Sequence, residues 1–501
     1  MRHAAAVVGV PSTARRRVGQ AGLAAILASI TCTLAVGVAG PSLMEPGLPG
    51  APGQPPWILD LHLNPYAAVG LAGAGVLLGT VGLTLGMRAM RAGWTVSPRL
   101  LLLIGAGTVV VASQVGPFGS SDVLSYAAYG RELVTGHNPY VVTPETLARL
   151  GDPVARAVRD WAGTPSVYGP AANGVFGLAS LIGGTSARLT VWVLDVVNAA
   201  AFLGTGLVLD RLAARHTDAA RSRAALLWTC NPLLLQILVA GAHVDTLAVF
   251  FGVAALAVIS SGSGALRAPL AGVLAGVLAG CGFAVKPTAA LIVVGLIAVS
   301  GAMTPRIAIR PLLIGFISVV AADVALMGTA GVRDSLRASG MVSVGSPWRV
   351  VRAVLSLGMP EPAADDVVRW SAVACGVLLA VVLLRQARQS RRRILAWGAF
   401  ACVLAWLFCW PYVLPWYDAF GWALLALLPA SSLDWVLLAR TAVLGMAYLP
   451  ARSAGVTIPG GLRWMEPVFR SAVCPAVLAV LAVVLAAWAV RGFRSVAAAA
   501  R

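Results

Sequence analysis

Long apolar runs recur along the whole chain, and a run of about 20 apolar residues is enough to cross a membrane as a helix. Of the 501 residues, 59% are hydrophobic and only 11% are charged, whereas a soluble domain carries about 25% charged residues. So few charges cannot cover the surface of a soluble domain of this size. We therefore predict one all-α, polytopic membrane domain of about 12–14 transmembrane helices, with candidate spans at 19–40, 66–87, 99–115, 189–209, 224–240, 246–262, 269–285, 287–303, 308–329, 370–384, 394–409, 416–430, 434–450 and 472–490.

The positive charges predict how these spans are oriented. The net charge is +18, but the arginines form short clusters between apolar runs, which is typical of cytoplasmic loops and not of a nucleic-acid-binding face. This pattern places the tails 1–18 and 491–501 inside the cell and the loops 116–188 and 331–369 outside. The arginines on the predicted inner face are Arg15–Arg17, Arg88, Arg91, Arg99, Arg211, Arg215, Arg221, Arg223, Arg267, Arg306, Arg310, Arg385, Arg391–Arg393, Arg491, Arg494 and Arg501, and the shorter outer segments are 41–65 and 410–418.

Two short helices are expected in the large outer loop 116–188. The first, at about 122–136, follows Ser120 and Ser121, whose hydroxyls can cap a helix. The second, at about 171–183, is apolar but too short to cross a bilayer. Both are expected to lie along the outer membrane surface.

Asp122 stands at the start of the first of these helices. A carboxylate there can simply stabilise the positive end of the helix, or it can be part of an active site. Tyr126 and Tyr129 lie near the same stripe of the helix, because residues three and four apart are neighbours. The turns that follow contain Gly and Pro and present Asn138, Tyr140 and Tyr168. Aromatic rings held in rigid turns suit stacking on sugars.

The order of these residues resembles one enzyme family. The sequence D-V-L-S-Y-A-A-Y-G-R from Asp122, the N-P-Y at 138–140, Trp161 and the P-S-V-Y-G-P at 165–170 are similar to the actinobacterial polyprenol-phosphate-mannose-dependent α-(1→6)-mannosyltransferases of the GT-C superfamily. The resemblance extends over about residues 100–490 and implies a GT-C-like bundle. It also implies that Asp122, at the start of the first large outer loop, is the catalytic base.

Further segments resemble the same family. The sequence N-P-L-L-L-Q at 231–236, followed by G-A-H-V-D at 241–245, is similar to the family pattern N-P-x-x-x-E and G-H-N-D. Gln236 replaces the usual acid and Val244 the usual Asn, which leaves the acceptor and the subgroup open. Taken alone, His243 is equally compatible with two roles. Its ring can simply be bonded to a backbone carbonyl, or it can be a residue of the active site. Asp245, two residues away, favours a site role for both.

Lys286 is the only lysine of the chain and lies between two apolar runs. It can extend its amine to the membrane surface, or it can bind the phosphate of a lipid-linked donor. Other candidate contacts to that phosphate are Arg131 and Arg349, the second of which can also meet lipid headgroups. The aromatic segment 410–417 can anchor a helix end or line the substrate pocket through Trp410, Tyr412, Trp416 and Tyr417.

The resemblance implies a reaction on the outer face of the plasma membrane. The donor would be a polyprenyl-phosphate mannose and the acceptor an α-mannoside of the lipomannan type, joined by an α-(1→6) bond with inversion. No cofactor is expected to be required. The first outer loop has no D-x-D motif, so a divalent metal is not required but is left open. The alternatives are a GT-C enzyme for another sugar such as arabinose, and a transporter or lipid flippase, although the polar residues gather at one face and no internal repeat is evident.

Overall fold

The computed structural model describes residues 12–261, 267–300, 306–386, 393–451 and 457–499, and these residues form helices and no β-strand. The prediction of an all-α fold is confirmed. The helices are α1 Ser12–Ala39, α2 Pro65–Arg91, α3 Pro98–Ala112, α4 Asp122–Val134, α5 Pro144–Arg149, α6 Pro170–Gly183, α7 Ala187–Ala213, α8 Asp218–Leu227, α9 Pro232–Leu234, α10 Asp245–Ser261, α11 Arg267–Val285, α12 Ala290–Ser300, α13 Arg306–Ser339, α14 Pro347–Leu355, α15 Glu361–Arg385, α16 Ile394–Cys409, α17 Asp418–Leu425, α18 Leu433–Ala447 and α19 Cys474–Ala499.

Within the described residues, eight helical segments are long and apolar enough to cross a membrane. They are Ser12–Ala39, Pro65–Arg91, Ala187–Ala213, Asp218–Val239, Arg267–Val285, Ile309–Ser339, Glu361–Arg385 and Gly460–Gly492. Four other predicted spans are the shorter apolar helices Pro98–Ala112, Asp245–Ser261, Pro287–Ser300 and Ile394–Cys409. The predicted spans 416–430 and 434–450 correspond to α17, with 8 residues, and α18, with 15 residues. The predicted 12–14 spans are therefore reached only when these shorter helices are counted with the eight.

The segments that the arginine pattern assigns to the outer face lie together at one end of the bundle. The chain between α1 and α2 is bonded to the end of α3 and to the outer loop, through Trp57 N to Gln114 O at 2.8 Å and Gly119 N to Met44 O at 2.7 Å. The chain after α13 reaches the segment after α16, where Ser343 N donates to Pro411 O at 3.2 Å. Which side of a membrane this end faces stays a prediction from the arginines.

Several of the predicted inner arginines lie together at the opposite end. Arg91 and Arg223 both bind Asp434, with nearest N–O distances of 2.7 Å, and Arg15 donates to Ala92 O at 2.8 Å. Other predicted inner charges lie outside the described residues or have no described side chain; these are Arg306, Arg391, Arg392, Arg494 and Arg501, together with residues 1–11 of the predicted tail.

The segment 331–369, predicted as an outer loop, is largely helical. Helix α13 continues to Ser339 after a kink at Gly328, where φ is +63°, and α15 already begins at Glu361. Between them lies α14, which has no buried residue. Its exposed valines, Val350, Val351 and Val354, suit a helix that lies on the surface of the bundle.

The two short helices predicted in the outer loop are α4 and α6, and they pack against each other. The rings of Tyr126 and Phe176 are stacked with centroids 4.9 Å apart. Gly130 allows this close approach, because a Cβ at this position would overlap the backbone carbonyl of Phe176. A second glycine, Gly169 at the start of α6, packs in the same way on the backbone of Ala284 at the end of α11. These contacts hold the outer loop over the bundle end that carries Lys286.

Candidate functional site

Asp122 begins α4, and its side chain is 17% exposed. Its backbone N–H donates to the Ser120 hydroxyl at 3.1 Å. Ser121, which precedes the helix, does not cap it as the sequence predicted. Its hydroxyl instead donates to the carboxylate of Asp160, 39 residues later, because the loop returns an acceptor to that position. Of the two serines predicted to cap α4, only Ser120 therefore bonds to the start of the helix.

The Asp122 carboxyl has an unusual proton affinity. Burial raises its pKa to about 6, and the charges of Asp160 and Asp245 act in the same direction. The positive charge of Lys286 and the Ser120 hydroxyl lower it. A carboxyl with this pKa is ionised at neutral pH and is more basic than an exposed aspartate, which is the condition for a general base.

His243 lies beside Asp122, in the turn before α10. Its Nδ1 is 3.8 Å from an oxygen of Asp122, too far for a hydrogen bond, and has no hydrogen-bond partner among the described residues. The ring stacks on Trp416 with centroids 3.7 Å apart and planes 18° apart. Burial, assisted by the charge of Lys286, lowers the pKa of His243 well below its usual value. The imidazole beside Asp122 is therefore neutral and adds no compensating positive charge.

Lys286 forms an ion pair with Asp245 at the start of α10. Its amine donates to both carboxylate oxygens at 2.7 and 2.8 Å, and the two side chains are 12% and 0% exposed. The amine also lies over the ring of Tyr417, 4.5 Å from the centroid. Lys286 thus points into the protein and does not extend to the membrane surface, so the snorkelling alternative is wrong. A role with the donor phosphate stays a prediction.

Aromatic rings surround this group of charges. Tyr168 packs edge-on against Tyr126 with centroids 5.1 Å apart, and the two hydroxyls are 3.3 Å apart. Tyr412 packs edge-on against Tyr417 with centroids 6.2 Å apart. Besides burial, the charge of Asp122 contributes to the raised pKa of Tyr168 and Tyr412. The structure therefore brings these rings to the Asp122 cluster, as predicted.

The two arginines that were predicted to contact the donor phosphate lie away from Asp122. Arg131 donates to Asp152 at 2.6 Å within the outer loop, because that acid lies beside the last turn of α4. Arg349 is exposed on α14, and its side chain makes no ion pair or hydrogen bond with the described part of the chain. Neither arginine is part of the cluster around Asp122, and their predicted role with phosphate stays a prediction.

The remaining predicted residues make hydrogen bonds within or between the loops at this end of the bundle. Tyr129 donates to Thr164 O at 3.0 Å, and the Asn138 side chain accepts from Tyr140 N at 2.9 Å in a tight turn. The Tyr140 hydroxyl accepts from Asn173 on α6 at 3.0 Å. Trp410 donates to Ser339 O at 3.0 Å. These contacts stabilise the loops and give no direct evidence of substrate binding.

The sequence reasoning missed two members of the cluster. Asp160 holds Ser121 and adds negative charge next to Asp122. Tyr448 packs edge-on against Trp416 with centroids 5.1 Å apart. Asp160 lies in an irregular loop, where its position beside Trp161 was the only available signal, and Tyr448 lies inside a predicted apolar span. Among the described residues, no group of three or more His, Cys, Asp or Glu side chains is arranged to hold a metal ion; that no metal is required stays a prediction.

Known proteins share parts of this sequence. Residues 16–302 match the family described as alpha-(1->6)-mannopyranosyltransferase, N-terminal domain. A probable alpha-(1->6)-mannopyranosyltransferase of Mycolicibacterium smegmatis is 35% identical over 136 residues, which cover 26% of this chain and 23% of the relative. The alpha-(1->6)-mannopyranosyltransferase B of Corynebacterium glutamicum is 30% identical over 185 residues, which cover 34% of this chain and 30% of the relative. The matches thus span less than a third of the length of either relative.

One solved structure is distantly similar. The archaeal oligosaccharyltransferase AglB from Archaeoglobus fulgidus, in complex with an inhibitory peptide and a dolichol-phosphate, aligns with 78% of this chain and 56% of its own, at 14% identity and a TM-score of 0.35. The match to the family is much more specific. It includes the whole of the outer loop with Asp122 and continues through His243, Asp245 and Lys286. Because it covers more than half of the 501 residues, the chain belongs to the alpha-(1->6)-mannopyranosyltransferase family.

Proposed function

We propose that this protein transfers mannose from a polyprenyl-phosphate mannose to an α-mannoside acceptor of the lipomannan type. The reaction forms an α-(1→6) bond on the outer face of the plasma membrane. Membership of the family supports the mannosyl transfer and the linkage. The single observation that carries the mechanism is the shielded Asp122 carboxyl, whose pKa is raised to about 6, within an aromatic cluster at the bundle end predicted to face outward.

Asp122 acts as the general base. Its carboxylate takes the proton of the acceptor's 6-hydroxyl while that oxygen forms a bond to the anomeric carbon of the donor. The bond from the anomeric carbon to the phosphate oxygen breaks on the opposite face, and the phosphate leaves with the bonding electron pair. A β-linked donor therefore gives an α-linked product.

Lys286 is a cation whose charge acts directly on this base. A leaving phosphate gains negative charge in the transition state, and a positive group fixed nearby stabilises it. The Lys286 amine is held by Asp245 and lies over the Tyr417 ring, so it is oriented before the donor arrives. Its charge also favours the ionised form of Asp122.

The aromatic rings supply the sugar contacts. Tyr126 packs against Tyr168, and Tyr412 packs against Tyr417, close to the charged cluster. Aromatic rings pack on the apolar C–H faces of pyranosides, and their hydroxyls can bond to sugar hydroxyls. These rings therefore suit contacts to the sugars of the donor and the acceptor.

The test is mannose transfer by the purified full-length protein. Wild-type protein is expected to transfer mannose from polyprenyl-phosphate mannose to an α-mannoside and to give an α-(1→6) product. Asp122→Asn keeps the shape of the side chain but removes the base, so turnover should fall by at least about a hundredfold. Asp60→Asn is the control, because Asp60 is an exposed acid of another loop at the same end and its loss should leave the rate unchanged. Full activity of Asp122→Asn contradicts the mechanism.

A donor panel separates the sugar from the mechanism. The same protein is assayed with polyprenyl-phosphate mannose and polyprenyl-phosphate arabinose under identical conditions. If Asp122-dependent transfer occurs only with the arabinose donor, Asp122 remains the general base and the proposed specificity for mannose is refuted. No Asp122-dependent transfer with either donor would refute the proposed activity.

A further inference from the structure

A wide groove opens at the end of the bundle opposite Asp122. It lies between α7, α10 and α11, has a volume of about 460 Å³, and is lined by Arg211, Arg215 and Arg267 together with aliphatic side chains of the three helices. Helix α10 begins at Asp245 in the candidate active site and ends at Ser261 in this groove. Its 17 residues separate the two by about 25 Å at 1.5 Å per residue. We call this feature the arginine groove.

The cations of the arginine groove lack acidic partners among the described residues. Arg215 donates to Ser260 O at 3.3 Å and to the Ser261 hydroxyl at 2.7 Å, which fixes its guanidinium at the end of α10. Arg211 and Arg267 form no ion pair with a described residue. The nearest acid along α7, Asp210, is already bound by Arg221 at 2.8 and 3.0 Å.

The walls of the arginine groove are suited to hydrocarbon. Leu270 and Leu274 on α11 are 62% and 48% exposed and face Val208 and Val258 across the groove. These walls belong to helices that continue as apolar segments toward the other end of the bundle. A ligand that fills the groove thus needs a negatively charged head for the arginines and an apolar part for the leucines and valines.

We propose that the arginine groove binds an anionic phospholipid, with the phosphate of its headgroup on Arg211, Arg215 and Arg267 and the start of an acyl chain along α11. Guanidinium groups bind phosphate oxygens in pairs of hydrogen bonds. Basic pockets between transmembrane helices on the inner side of a membrane are a recurring site for such headgroups. A free phosphate ion would satisfy the arginines but would leave the aliphatic walls unused. The proposal does not depend on the mannosyl transfer.

The experiment is native mass spectrometry of the full-length protein in detergent, titrated with phosphatidylglycerol or phosphatidylcholine. Wild-type protein should bind one phosphatidylglycerol at least tenfold more tightly than phosphatidylcholine. Arg211→Gln combined with Arg267→Gln should abolish this preference while leaving phosphatidylcholine binding unchanged. Arg16→Gln combined with Arg99→Gln is the matched control, because both arginines are exposed at the same end but lie outside the groove, and the preference should remain.

Three results would overturn the proposal. Equal binding of the two lipids by the wild-type protein would show that the groove does not select an anionic headgroup. If both double variants lose the preference for phosphatidylglycerol equally, the preference comes from the overall positive charge of this end of the bundle and not from the groove. Displacement of phosphatidylglycerol by an equimolar amount of inorganic phosphate would make the groove a site for the free ion. Because all four substituted arginines are exposed, the thermal stability of the variants in detergent provides the check on folding.

Discussion

The raised pKa of Asp122 predicts opposite effects of pH on the activity and on the stability of this protein. The perturbation is a change from pH 7 to pH 5. With a pKa of about 6 in the folded protein, the fraction of Asp122 that is ionised falls from about 91% to about 9%. A reaction that requires the carboxylate therefore loses about tenfold in kcat/KM, with an acidic limb centred near pH 6.

The stability changes in the other direction. The folded-state pKa of about 6 lies above the ordinary value of 3.8, so between these two pH values the native state binds more protons than the unfolded state. The free energy of unfolding then rises as the pH falls through 6 and stops rising below about 3.8. From pH 7 to pH 5 the contribution of this one group is an increase of about 1.3 kcal/mol.

Two measurements check this prediction. The first is the pH dependence of kcat/KM for mannose transfer. The second is the difference in free energy of unfolding between wild type and Asp122→Asn at each pH, which removes the contribution of the other titrating groups. Both should give a pKa near 6. An acidic limb near pH 4, or an unfolding difference that is constant from pH 7 to pH 4, refutes the assignment of a shielded base.

Two further predictions concern stability. Lys286→Met leaves Asp245 buried without its partner and should lower the free energy of unfolding by about 3–5 kcal/mol. Adding Asp245→Asn should restore more than half of this loss. A loss below about 1 kcal/mol in Lys286→Met alone would show that the pair stabilises the protein no more than a surface ion pair does. Gly130→Ala forces α4 away from the Phe176 carbonyl and should lower stability by about 1–3 kcal/mol. Gly174→Ala on α6, where a Cβ meets open space, should change it by less than about 1 kcal/mol, and equal effects of the two glycine variants would contradict the packing argument.

Much of the fold was predictable because the long helices are encoded by local runs of apolar residues. An apolar run such as 187–213 has only one stable form in a bilayer, since a helix bonds all of its backbone internally. The short outer helices were predictable for a related reason, because 171–183 is too short to span. Where helices end was less predictable: α13 extends ten residues beyond the predicted end of its span at 329, because polar residues at a membrane edge continue a helix as readily as they end one.

The candidate site was predictable in its members and less so in their pairing. Asp122, the pair His243 and Asp245, and Lys286 were selected separately, and the structure places them in one cluster. The partner of Lys286 lies 41 residues away in sequence, and no periodic pattern reveals such a contact. Arg131 is a second such case, because its partner Asp152 lies 21 residues later in the same loop.

In the proposed mechanism, Lys286 links the donor phosphate to the base. In the structure, the Lys286 amine donates to the Asp245 carboxylate, and its positive charge lowers the pKa of Asp122. A donor phosphate that binds Lys286 brings a negative charge to the same place and cancels part of that effect, so the pKa of Asp122 must rise in the complex. Because kcat reports groups in the complex and kcat/KM those of the free enzyme, the acidic limb of kcat should lie at a higher pH than that of kcat/KM. Coincident limbs would show that the phosphate binds away from Lys286, and the exposed Arg349 would then be the next residue to substitute.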